Sequence, residues 1–74
     1  MQVQFSLQQH EQPDGKQPVL AVYTHGGSMV MLQITEPPHP NTPEAPDHIS
    51  TYYLPPTLAR AIASAMMGAA AEIR

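Results

Sequence analysis

The 74-residue chain has no cysteine and no tryptophan, one phenylalanine, and only three basic residues, Lys16, Arg60 and Arg74. Without cysteine it forms no disulfides and no thiolate zinc sites, two devices that often support domains too small for a large core. A small apolar core, self-association, or both are left to stabilise it. The three basic residues are scattered and the net charge is −3. Nucleic-acid binding usually needs a basic stripe to displace counterions from phosphates, so nucleic acid is an unfavoured partner. Long apolar runs are also lacking. The longest, residues 58–73, is interrupted by Arg60, Ser64 and Glu72 and falls short of the roughly 20 residues that span a bilayer. Met1 leads directly into an alternating segment rather than a signal peptide. The expectation is one small cytoplasmic domain, residues 1–74, with no membrane association.

The N-terminal half reads as a sheet. Val3, Phe5 and Leu7 alternate with Gln2, Gln4, Ser6 and Gln8, the period-2 pattern of a strand with one buried face. Residues 19–24 and 29–35 are two further strands, joined by Gly26-Gly27, a two-residue hairpin signal. That turn sets His25 opposite Ser28, Tyr23 opposite Val30, Ala21 opposite Leu32 and Val19 opposite Ile34. A second turn, Gln12-Pro13-Asp14-Gly15-Lys16, fits a type I turn with a G1 bulge. It pairs Leu7 with Ala21 and Phe5 with Tyr23. One apolar face then holds Val3, Phe5, Leu7, Val19, Ala21, Tyr23, Val30, Leu32 and Ile34. The other carries Leu20, Val22, Met29 and Met31 inside a frame of amides and hydroxyls. Methionine repacks readily against varied partners, so this second face is a candidate protein-contact surface.

The C-terminal half reads as a helix. Pro55-Pro56-Thr57 precedes it, with proline tolerated in the first turn and Thr57 a candidate N-cap. Leu58, Ile62, Ala65, Met66, Ala69 and Ile73 recur at spacings of three and four, an apolar stripe suited to covering the sheet. The far side is nearly uncharged. Ser64, Met67 and Gly68 there form a candidate helix–helix contact in a homodimer; the other reading is a plain alanine-rich surface.

Between the halves lies a segment, residues 36–50, dense in proline. It reads as a crossover from sheet to helix, or as a recognition arm. Residues 51–54 form a short fourth strand or a collar before the helix.

Chemistry has few places to reside. The four histidines, His10, His25, His39 and His48, are the acid–base or metal candidates. None has the spacing of a metal-binding helix. His39 and His48, with Glu44 and Asp47 nearby, make a weak metal site on a loop that pre-organises ligands poorly. His25-Gly26-Gly27-Ser28 resembles an oxyanion-hole loop, but its glycines are already used in a turn. No GxSxG, phosphate-loop lysine or GxGxxG motif is present. No cofactor is expected.

The sequence therefore predicts an α+β domain: a three-stranded antiparallel β-meander, with a possible short fourth strand, packed by one C-terminal α-helix. This layout resembles integrase-type DNA-binding domains in outline only, because their sheet face is rich in Arg and Lys. The expected function is a non-enzymatic protein–protein interaction module, an adaptor, regulator or inhibitor of the kind found among bacterial and phage accessory proteins. It is expected to be a homodimer. The alternatives are a nucleic-acid-associated regulator and a histidine-based metal or ligand binder.

Overall fold

The computed structural model describes residues 1–10 and 15–73. Four strands, β1 (Gln2–Ser6), β2 (Val19–His25), β3 (Met29–Glu36) and β4 (His48–Leu54), form an antiparallel sheet in the order β1-β2-β3-β4. One helix, α1 (Pro56–Ala71), follows. The chain is thus α+β with a full fourth strand of seven residues. Residues 36–50 do not cross from sheet to helix. They end β3, loop through residues 37–47 and begin β4, its antiparallel neighbour.

The turn between β2 and β3 has the expected glycines but a different pairing. Gly26 and Gly27 both take positive φ, 61° and 75°, which only glycine adopts without steric cost. The Ser28 N–H closes the turn on the His25 carbonyl at 3.4 Å. Ser28 then stays outside the ladder, and His25 pairs with Met29 instead of Ser28. That one extra residue turns β3 over relative to β2. Leu20 sits opposite Ile34 and Val22 opposite Leu32, while Tyr23 sits opposite Met31 and Ala21 opposite Gln33.

The first pairing also differs. Gln12, Pro13 and Asp14, the centre of the expected first turn, lie outside the described residues. Phe5 pairs with Leu20 and Val3 with Val22. Leu7 continues the ladder by donating its N–H to the Pro18 carbonyl at 2.8 Å. The expected partner of Leu7, Ala21, instead faces Gln4. The physical reason lies in β2, which is apolar on both faces. Its alternation does not choose a side, and the larger Leu20 and Val22 offer Phe5, Val3 and Leu32 more apolar contact than Ala21 does.

One sheet face therefore carries two apolar rows: Val3, Val22, Leu32 and Tyr52, then Phe5, Leu20 and Ile34 beside Ser50. The opposite face carries Gln2, Tyr23, Met31 and Tyr53 in one row and Gln4, Ala21, Gln33 and Thr51 in the next. The predicted quartet Leu20, Val22, Met29 and Met31 is split between the two faces, a direct result of the Ser28 insertion.

α1 leaves β4 through a single residue. Pro55 is the N-cap, at φ −60° and ψ 150°, and Pro56 occupies the first turn. The Ala59 N–H bonds the Pro55 carbonyl at 3.0 Å. No side chain caps this end, so Thr57 is inside the helix rather than its cap. Two adjacent prolines restrict φ on both sides of the joint and make it stiff. The helix approaches β3 and β4 only, and it buries none of its residues.

The result is an open molecule. Its Cα radius of gyration is 14.6 Å, against about 11 Å for a globule of this length. Its accessible surface is 5920 Å², against about 4,500 Å² for a folded monomer of this mass. Among the described residues only Pro18, Ala21 and Met31 are buried.

Candidate functional site: an apolar groove between sheet and helix

The stand-off of α1 opens a groove of about 450 Å³ over the apolar sheet face. Phe5 of β1, Leu7 just beyond it, Leu20 and Val22 of β2, Val30 and Leu32 of β3, and Leu54 of β4 form its floor. Ala59, Ile62, Ala63 and Met66 of α1 form its wall. None of these side chains carries a nitrogen or an oxygen. The spacing of the wall residues, three and four apart, puts them on one helical face. Exposure is high for residues of this type: Phe5 is 51% and Met66 64% exposed. A contiguous apolar surface of this kind usually marks a contact site rather than ordinary exposed surface.

Of the residues the sequence singled out, Leu20 and Val22 line the groove. Met29 and Met31 are on the other sheet face. Ser64 and Gly68 fall on the helix side opposite Ile62 and Met66 at 100° per residue, with Met67 on the flank. They form a surface separate from the groove. Phe5, Leu32, Ile62 and Met66 were legible as an apolar pattern. Their role as groove lining was not, because the pattern implies a helix closed onto the sheet.

The histidines disperse. His39 lies in the loop after β3. Its Nδ1 accepts the Asn41 N–H at 3.1 Å, and its carbonyl accepts the Thr42 N–H at 2.8 Å. His48 is on β4 opposite Glu36. His25 meets Tyr53 edge-on, centroids 5.0 Å apart at 62°. No three His, Cys, Asp or Glu side chains converge as a metal site among the described residues. A second hollow, about 290 Å³, lies at the loop end of the sheet between Gly15, Lys16 and the proline loop. There the exposed Lys16 Nζ lies 3.7 Å from the Asp47 carboxylate, a pair worth little in water. Of the described basic residues, Lys16 is thus beside this loop and Arg60 is on α1. No helix among the described residues is long and apolar enough to cross a membrane.

No family model matches the chain, and neither the curated proteins nor the solved structures contain a match to it.

Proposed function

We propose that this protein is a non-enzymatic interaction module whose groove between sheet and helix receives an apolar protein surface. The observation that carries this reading is the chemistry of the lining. Small-molecule sites combine apolar walls with a few convergent polar groups that orient the ligand. This groove has the walls and no acid, base, nucleophile or hydrogen-bonding side chain within it. Such a surface suits an amphipathic helix, which binds through apolar residues spaced three and four apart. An adaptor, regulator or inhibitor works by contact of this sort.

A photo-crosslinking benzoylphenylalanine placed at Phe5, at Met66 and at Ser64 in separate variants tests the reading in the native cell. Protein adducts are expected from positions 5 and 66 and not from position 64, which lies on the helix side opposite the groove. Equal adducts from all three, or none from the groove positions, would overturn it.

A further inference from the structure

The groove's occupant follows from how little of the chain is buried, an inference that rests on the contact reading just given. We infer that it is a second copy of this chain, with the α1 of each copy lying over the β1–β2 half of the other's sheet.

The first argument is area. The chain exposes 5920 Å², about 1,400 Å² more than a folded monomer of its mass. A standard stable interface removes about 800 Å² per partner, and obligate dimers remove about 1,000–2,500 Å². The surplus is the size of an obligate dimer's share.

The second argument is stability. With only Pro18, Ala21 and Met31 buried among the described residues, the isolated chain has almost no core to offset the entropy of ordering its backbone. Its occupant must therefore be present whenever the chain folds, and an identical copy meets that condition. Obligate homodimers commonly lack a stable folded monomer.

The third argument is placement. The helix approaches β3 and β4, which leaves Phe5, Leu20 and Val22 facing open space. The wall of the groove ends at Met66, and beyond it Ile73 is 78% exposed. Each copy thus has an uncovered sheet half and an uncovered helix half. A two-fold arrangement satisfies both reciprocally. Arg60 is the only charged residue of α1 and Glu72 is its C-cap, so no like-charge cluster opposes the pairing.

The experiment uses the full chain. Native mass spectrometry at about 10–100 µM is expected to show twice the 8.1 kDa chain mass. Phe5→Glu should shift the population to the single-chain mass whether or not that variant stays folded. Since the chain has no cysteine, single-cysteine variants give a second measure that adds no charge to the groove. Phe5→Cys mixed with Ala70→Cys should form an intermolecular disulfide at least tenfold faster than Phe5→Cys mixed with Ser64→Cys. A wild-type protein at the single-chain mass, or equal disulfide rates, would overturn the second-copy assignment. If that happens while a photo-crosslinker at Phe5 still captures protein, the contact reading stands and only this occupant is wrong. Loss of both signals removes both proposals.

Discussion

Met31 sits directly opposite Tyr53 across the β3–β4 ladder and opposite Tyr23 across β2–β3. Flanked by two aromatic rings, it is only 7% exposed, although no helix covers that face. Tyr53 in turn meets His25 edge-on, so this row continues toward the hairpin end. Among the described residues, the best-buried large side chain thus lies on the sheet face away from the groove, held by its cross-strand neighbours. That burial points to a part in stability.

Met31→Ala should accordingly cost about 2–5 kcal/mol, as for other buried methionines cut back to alanine. Met31→Leu conserves volume and should cost less than about 1.5 kcal/mol. Urea unfolding followed by far-UV circular dichroism measures both. A loss under about 0.5 kcal/mol for Met31→Ala, the range of ordinary surface changes, would show that the tyrosine row does not hold it.

Gly26 and Gly27 give a second expectation, because both sit at positive φ with nothing within 4 Å of where a Cβ would stand. An alanine at Gly26 meets no neighbour, so the whole penalty is backbone strain, about 1–2 kcal/mol. Gly26→Asn should cost less, since asparagine visits this region more readily. The comparison of the two denaturation midpoints is the check. Equal midpoints would mean that the penalty comes from something other than φ.

The hairpin also shows what the sequence made legible. Gly-Gly located the turn though not its length, and Pro55-Pro56 located the start of the helix. The strands at Gln2–Ser6, Val19–His25 and Met29–Glu36 were visible from alternation and turn residues. Register was not, because β2 presents Leu20 and Val22 on one side and Val19, Ala21 and Tyr23 on the other. With both faces apolar, a slip costs little at the level of pattern, and Ser28 had no feature marking it as the extra residue. The groove was hidden for another reason. The stripe through Ile62 and Met66 says that a helical face seeks cover, and it is silent on what provides it. The stiff Pro55 joint sets the helix away from its own sheet, and that geometry has no signature in hydropathy.

Gly68 separates the two helix surfaces. It is in mid-helix on the side away from the groove, and a Cβ there meets nothing within 4 Å. Gly68→Ala should raise stability by about 1 kcal/mol through helix propensity alone. It should leave the assembly mass unchanged. If a close helix–helix approach ran through Ser64 and Gly68 instead, the added methyl would push the helices apart, and native mass spectrometry would show the dimer weakened.

The thermal midpoint provides the last expectation, through the dependence of a dimer's stability on concentration. Where folding and association are one step, each tenfold rise in protein concentration stabilises the native state by about 1.4 kcal/mol. For a dimer with about 150 residues in all, each kcal/mol shifts the midpoint by about 2–4 °C. Differential scanning calorimetry at 10 and at 100 µM, a tenfold step, should therefore give midpoints about 3–6 °C apart. Phe5→Glu removes the apolar centre of the β1–β2 half and should abolish that dependence along with most of the cooperative transition. A wild-type midpoint that stays fixed across the two concentrations would mean that the open sheet and its distant helix hold together as a single chain. In that case the surplus surface would have to be stabilised from within, by groups the burial pattern does not contain.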